Sequence, residues 1–292
     1  MSSRNIPSSP HYEPGGFKCN MRKMNHGMRK LLGLPASPDI ATLSGFVSKV
    51  RAAIESELDS PITSIAPTIF PIRSEQKQDL QDALDFVGLR TARSRPDLHR
   101  QYSHYQELDT AYVDPEANTA YAGLGRGLCK QWTDIDQCKN ETHSMPHQTI
   151  LFLNFDNSSF SASVHDLFTP YIEGMYKYVA QPELGWWSLP VFEVPRAKFW
   201  AQIHEVVMEV ASALPSPPGR IVLMGEHGAD EEFTEVVEAA LWSVLEVDVC
   251  MMLQANQAEN TGRLAARGAA EMAWRSEYWD REGVDRDGVL EL

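Results

Sequence analysis

Apolar residues recur every three or four positions in several stretches of the chain, and this spacing predicts amphipathic helices. The stretches with that spacing are 38–58, 75–87, 196–214 and 232–245. Ser37 and Pro38 suit the start of the first helix and Gly88 suits the end of the second, because these residue types are favoured at helix ends. The pattern predicts that each helix buries one face and leaves the other in water.

Shorter apolar runs that are bounded by turn residues predict strands. The runs are Ile62–Ile65, Ile150–Phe155, Phe160–Val164, Ile221–Met224 and Val247–Leu253. Asp156–Ser159 join the second run to the third, and Asn and Asp tolerate the left-handed backbone of a tight turn. Leu264–Trp274 is rich in small residues and predicts one more helix. Because strands and helices alternate, the sequence predicts an α/β fold, with 91–148 as an irregular, polar region.

The composition is that of a globular protein with an excess of acidic side chains. The 292 residues include 40 acidic and 26 basic side chains, which gives a formal net charge of −14. Phosphate backbones and anionic lipids repel such a chain, so neither nucleic acid nor a membrane is an expected partner. The sequence shows no apolar run of membrane-spanning length and no pattern of a secretory signal. Its four cysteines do not form the pattern of a disulfide framework. A reduced, cytoplasmic protein is the resulting expectation.

Charge is unevenly distributed along this acidic chain. Residues 1–30 hold six Lys or Arg against one acid, whereas 221–262 hold nine acids and no Lys or Arg. We expect the basic segment 1–36 to be a poorly ordered, solvated tail and the acidic stretch to be a solvated helix face. The alternative is that the tail folds back onto the acidic face.

Three segments of the chain, taken in order, resemble motifs of one family. They are ITSIAP at 62–67 with the helix that follows, ILFLNFDNSSFSASV at 150–164, and RIVLMGEHG at 220–228 with RGAAEMA at 267–273. They resemble the strand VVTVPA with its helix, the second phosphate hairpin VLIFDLGGGTFDVSI and the adenosine motif IVLVGGSTRIP. These motifs belong to the nucleotide-binding fold of Hsp70 chaperones, actin and sugar kinases. The chain also looks like the divergent Hsp70-like proteins of filamentous fungi.

The resemblance implies a partial actin-like ATPase fold, which is ribonuclease H-like, with mixed sheets and flanking helices. It implies that 37–148 is a remnant of the first ATPase lobe and 149–292 a remnant of the second, with a shortened upper subdomain. The implied ligand is ATP or ADP with Mg²⁺. The positions that match the nucleotide-binding residues of the family are Asn154, Asp156, Asn157, Ser158, Ser159, Gly225, Glu226, His227, Gly228 and Asp114.

Several of these positions depart from the pattern of the family. Asn154 replaces an Asp on the metal side, and Asp156–Ser158 replace three glycines whose backbone N–H groups close on the phosphates. Glu226 replaces a glycine of the adenosine turn, and 1–60 contain no first phosphate hairpin. The resemblance thus implies a degenerate module, a pseudo-ATPase that acts through an unidentified protein partner, with no catalytic residue assigned. The alternative is a weak ATP-binding protein with slow hydrolysis and a chaperone-like role.

Two further groups of residues could carry chemistry. The first group is Cys129, Cys138, His143 and His147, whose thiols and imidazoles are of the kinds that bind zinc. The eight residues between the cysteines are unlike a zinc knuckle, so the alternatives are a metal site or buried thiols with surface histidines. The second group is the aromatic residues of 168–192, which either replace the missing subdomain in the core or form an exposed partner site.

Overall fold

The computed structural model describes residues 24, 26–70, 74–92, 113–172, 174–214, 216–246, 249, 253 and 261–281. Helices flank one mixed sheet and two small parallel strand pairs, so the predicted α/β class is confirmed. The chain divides into two compact units, Met1–Ile65 with Arg73–Thr91, and Ala66–Ile72 with Ala92–Leu292.

After residue 37, the described part of the first unit contains two helices and one short strand pair. Helix α1 is Pro38–Leu58, α2 is Ser74–Val87, and β1 (Ser64–Ile65) pairs in parallel with β3 (Arg90–Thr91). Both predicted helix ends are confirmed, because the Ser37 hydroxyl accepts a hydrogen bond from the Ile40 N–H and Gly88 has a φ of 78°. The apolar stripe of α1 is buried only in its first half, since Val50, Ile54 and Leu58 are exposed.

The second unit is built around a four-stranded sheet with the order β7-β6-β5-β8. Its strands are β5 (Gln148–Phe155), β6 (Phe160–Leu167), β7 (Met175–Gln181) and β8 (Arg220–Met224). Strand β6 pairs antiparallel with both β5 and β7, and β8 pairs in parallel with β5. The predicted strands Ile150–Phe155 and Ile221–Met224 thus lie side by side in one sheet.

Alternate residues of β5 point to two different cores. Leu151, Leu153 and Phe155 are buried with apolar residues of α5 (Glu193–Ala211) and α6 (Glu231–Leu245). Ile150 and Phe152 are buried with apolar residues of α3 (Glu116–Gly123) and α7 (Leu264–Arg281). The sheet is therefore covered by helices on both faces, which explains why β5 reads as an uninterrupted apolar run.

The region 91–148, expected to be irregular, contains three regular elements in its described part. They are β4 (Asp114–Pro115), which pairs in parallel with β2 (Thr68–Ile69), then α3, then α4 (Ile135–Ser144). Helix α3 is short and almost wholly buried, so it has no polar face that would reveal a helical period. Helix α4 is largely polar and begins at Asp134, whose carboxylate accepts a hydrogen bond from the Gln137 N–H.

Two sequence predictions fall mainly on residues outside the described part. The strand predicted at Val247–Leu253 is one, and the basic segment 1–36 is the other. Within that segment, however, 26–31 are helical, and Lys30 forms an ion pair of 2.6 Å with Asp82. None of the helices in the described part of the chain is long and apolar enough to cross a membrane.

Candidate functional site

The loops that follow β5 and β8 are joined by direct hydrogen bonds. Because the two strands are parallel neighbours, their carboxyl ends lie at the same edge of the sheet. The backbone N–H of Glu226 donates to the Asp156 carboxylate over 3.0 Å, and the Asn157 amide donates to the Glu226 carboxylate. The His227 Nε2 atom and the Asn157 Oδ1 atom are 3.0 Å apart. The turns Asp156–Ser159 and Gly225–Gly228 therefore lie directly against each other.

A third segment, the 3₁₀ turn Trp186–Ser188, closes over these two loops. The indole of Trp186 stacks on the His227 imidazole, with the ring centroids 4.0 Å apart and the planes 7° from parallel. The backbone N–H groups of Trp186 and Trp187 donate to the carbonyls of Asp156 and Asn157, each over 2.9 Å. The three segments thus pack against one another and form hydrogen bonds with one another, instead of lining an open cleft.

Glycines make this close packing possible. A Cβ atom on Gly185 would lie 2.2 Å from the carbonyl carbon of Ser158, and one on Gly228 would lie 2.3 Å from the Met224 carbonyl oxygen. Gly225 has a φ of 88°, and a Cβ there would lie 2.4 Å from the Phe155 carbonyl oxygen. Gly225 and Gly228, which matched the adenosine motif, therefore allow close contact between backbone segments of the protein.

The partly buried carboxyl group of Glu116 lies beside Asn154, near the end of β5. The Asn154 amide donates to the Glu116 carboxyl over 3.0 Å. Burial, reinforced by the negative charge of Asp156, raises the pKa of Glu116 to about 7. A cavity of about 10 Å³ adjoins this pair. Among the described residues, the Asn154 Oδ1 and Tyr178 hydroxyl atoms that border the cavity have no hydrogen-bond partner.

Glu116 is the residue that sequence reasoning missed. Asp114 was matched to the metal-side Glu-Pro of the family, but Asp114 lies in β4, and the carboxyl beside Asn154 is that of Glu116. Glu116 is the first residue of α3, where a negative charge suits the helix dipole. An acid directly after a Pro at a helix start was the available signal, but α3 itself was not predicted.

The charge around the loops is negative. Glu116, Asp156 and Glu226 contribute carboxyl groups, and in the part of the chain that the structure describes no Lys or Arg forms an ion pair with them. A polyphosphate needs cationic groups and backbone N–H donors directed at its oxygens. One backbone donor of these loops, the Glu226 N–H, is instead bonded to the Asp156 carboxylate.

The remaining matched positions, Ser158 and Ser159, belong to the hairpin turn. The Asp156 N–H donates to the Ser159 carbonyl over 3.0 Å, which closes the turn between β5 and β6. The backbone of Ser158 lies against Gly185, so one side of this turn is covered, while Ser158 itself is exposed.

The chain matches no protein-family model and no curated protein. What can be said about function therefore rests on the residues themselves, beginning with the three joined segments.

The metal alternative for the Cys and His group is wrong. Cys129 and Cys138 form a disulfide with their Cα atoms 5.2 Å apart, so neither sulfur is a thiolate that could bind zinc. His143 bonds to the Lys139 carbonyl and His147 to Asp166, so the imidazoles do not converge on the sulfurs. No cluster of ligands able to hold a metal ion occurs among the described residues. The disulfide also departs from the expectation of a fully reduced protein.

The aromatic residues of 168–192 divide between the two expected roles. Tyr171 is buried and Trp186 packs against the core, as a replacement for a missing subdomain would. Trp187 and Phe192 are instead 76% and 79% exposed, as are their neighbours Val191 and Val194 at 89% and 68%. We call these four residues the exposed apolar segment.

Proposed function

We propose that this chain is a cytoplasmic pseudo-ATPase, a degenerate member of the Hsp70 and actin-like group that acts through protein contacts. The observation that carries the proposal is the direct bonding between the loops after β5 and β8, with Trp186 stacked on His227. In an ATPase of this kind these loops would have to leave room for a nucleotide. Here polar groups of the loop after β5 form hydrogen bonds with polar groups of the loop after β8.

The proposed fold is a partial actin-like, ribonuclease H-like one. It is supported by the position of the hairpin β5–β6 and of β8 in one sheet, with their turns at the same edge. A phosphate hairpin and an adenosine motif must lie at the same edge of a sheet in order to bind the same nucleotide. The helices on both faces of the sheet agree with the same proposal.

The absence of hydrolysis follows from charge and geometry. Catalysis of phosphoryl transfer depends on cations and N–H donors placed where negative charge develops. The loops instead present the carboxyl groups of Glu116, Asp156 and Glu226. His227, the nearest imidazole, is held between the Trp186 ring and the Asn157 side chain, so its position serves packing.

The proposed mode of action is binding to another protein. The exposed apolar segment supports it, because it places four large apolar side chains in water within eight residues of the chain, and exposed apolar surface often marks interaction sites. The acidic balance of the chain favours a protein over nucleic acid or an anionic membrane. The alternative proposal, weak ATP binding with slow hydrolysis and a chaperone-like role, requires the three loop segments to separate.

Restoring the family residues in the hairpin tests whether the catalytic defect lies only there. The variant carries Asn154→Asp together with Asp156→Gly, Asn157→Gly and Ser158→Gly. We expect no release of phosphate from Mg-ATP above background, in the wild type or the variant, because no first phosphate hairpin is recognisable in 1–60. Asn154→Asp alone is the matched control, because it adds the metal-side carboxylate without opening the turn.

Either positive outcome would be informative. Turnover by the wild-type protein would refute the pseudo-ATPase and support the alternative. Turnover by the restored variant alone would show that another part of the chain supplies the phosphate contacts that we consider absent.

A further inference from the structure

Helix α1 in the first unit carries a row of apolar side chains on its surface. Phe46 and Leu58 are 63% and 61% exposed, and Val50 and Ile54, which lie between them, are exposed as well. The four residues follow one another at intervals of four, so their side chains form one continuous row on the helix. We call them the α1 ridge. An apolar row left in water is typical of a surface that another protein covers.

A different side of α1 supports the fold of the first unit. Ile40 is buried with Ala83, and Val47 is buried with Leu84, so these residues of α1 pack on α2. The sequence predicted one apolar stripe that faces the core along the whole of α1. Its second half instead belongs to the α1 ridge and lies in water, so packing on α2 does not account for it.

Two charged side chains beside the α1 ridge have no ion-pair or hydrogen-bond partner among the residues that the structure describes. They are Lys49 and Glu57, which are both exposed. Each lies three residues after a member of the α1 ridge, a spacing that places side chains on the same side of a helix. Arg51 and Glu55, by contrast, form an ion pair with each other over 2.8 Å. The exposed side of α1 therefore presents one uncompensated cation and one uncompensated anion.

The spacing of these residues makes the surface complementary to itself under two-fold symmetry. Lys49 and Glu57 are each four residues from Ala53, which is also exposed. When two copies of α1 are antiparallel about an axis at Ala53, Lys49 of each copy lies level with Glu57 of the other. Ile54 of each copy then lies level with the gap between Val50 and Ile54 of the other, which is the packing of ridges into grooves.

We propose that the α1 ridge is a dimer interface and that α1 of a second copy of this chain covers it. The two-fold symmetry gives two ion pairs between Lys49 and Glu57, and the small side chain of Ala53 at the axis lets the helices approach closely. One helix from each copy is a small interface, so we expect a dissociation constant of about 10 µM. The interface contains no residue of the closed loops, so it is independent of the proposed function.

Sedimentation equilibrium of the full chain, up to a concentration of about 200 µM, tests the proposal. We expect a reversible equilibrium between monomer and dimer, and an increase of about tenfold in the dissociation constant of Ile54→Ser, because the symmetry removes the apolar contact twice. Phe86→Ser is the matched control, because it removes an exposed apolar side chain of the first unit that is outside the α1 ridge. Both positions are exposed, so the fold should be retained, and circular dichroism checks this.

Reversal of the two charges tests the proposed pairing of the helices. Lys49→Glu and Glu57→Lys should each weaken the dimer by about tenfold, because each places two pairs of like charges opposite one another in the symmetric interface. The variant with both substitutions restores two pairs of opposite charge. Its dissociation constant should therefore lie within about threefold of the wild-type value.

Three results would overturn the proposal. The first is a wild-type protein that remains monomeric at about 200 µM, which would assign the α1 ridge to a contact within the chain or with a different protein. The second is equal weakening of the dimer in Ile54→Ser and Phe86→Ser. The third is a double charge variant that associates no better than Lys49→Glu alone, which would show that these two residues do not face each other.

Discussion

Replacing Gly225 by alanine is expected to lower the free energy of unfolding by about 3 kcal/mol, from backbone strain and overpacking together. Gly225 has a φ of 88°, which side chains other than glycine rarely adopt. The new Cβ would also lie 2.4 Å from the Phe155 carbonyl oxygen and 2.5 Å from the Asn154 Oδ1 atom. The turn must therefore move away from β5, which separates Glu226 and His227 from Asp156 and Asn157.

Denaturant unfolding followed by circular dichroism measures this effect, and Gly219→Ala is its control. Gly219 directly precedes β8, and a Cβ there would lie 3.7 Å from the nearest atom, the Thr149 carbonyl oxygen. That substitution should change stability by less than about 0.5 kcal/mol. Equal stability of the two variants would contradict the loop geometry on which the proposed function depends.

Glu116→Gln is expected to stabilise the protein at pH 8 by up to about 3 kcal/mol, the free energy that corresponds to a pKa raised from 4.5 to about 7. Between these two pKa values the unfolded carboxyl is ionised while the folded one keeps its proton. The folded state then binds more protons, so the free energy of unfolding falls as the pH rises through this window. Glutamine does not ionise, and its oxygen can still accept the hydrogen bond from Asn154.

Unfolding curves at pH 4 and pH 8 test this expectation. The stabilisation should be present at pH 8 and largely absent at pH 4, where the carboxyl is protonated in both states. Glu235→Gln, at an exposed position of α6, should change stability by less than about 0.5 kcal/mol at either pH. A destabilised Glu116→Gln variant at pH 8 would show that the ionised carboxylate is favoured by contacts other than Asn154.

Elements with a clear period could be predicted from the sequence, and others could not. The stripes of α1, α2, α5 and α6 and the apolar runs of β5 and β8 indicated their elements correctly. Helix α3 lacks a stripe because nearly every side chain is buried, and β7 lacks alternation because most of its residues are half-buried. In both cases tertiary packing, not local pattern, determines the structure.

The same limit applies to the candidate site. The turns Asp156–Ser159 and Gly225–Gly228 follow runs that were predicted as strands, and they lie together because these two neighbouring parallel strands end at one edge of the sheet. Glu116 was not predicted, and Trp186 was expected only as one of the aromatic residues of 168–192, because both come from segments that are distant in sequence from the loops they contact. The disulfide was missed because cysteine spacing alone does not determine pairing.

The central claim is that the bonded loops leave no site for a nucleotide, and thermal unfolding of the wild-type protein with ATP, with and without Mg²⁺, tests it most directly. Ligand that binds the folded state raises the unfolding temperature in proportion to the logarithm of its concentration over its dissociation constant. We expect little change at millimolar ATP, and almost no dependence on Mg²⁺. A rise of several degrees with Mg-ATP alone would indicate micromolar binding and would contradict the claim.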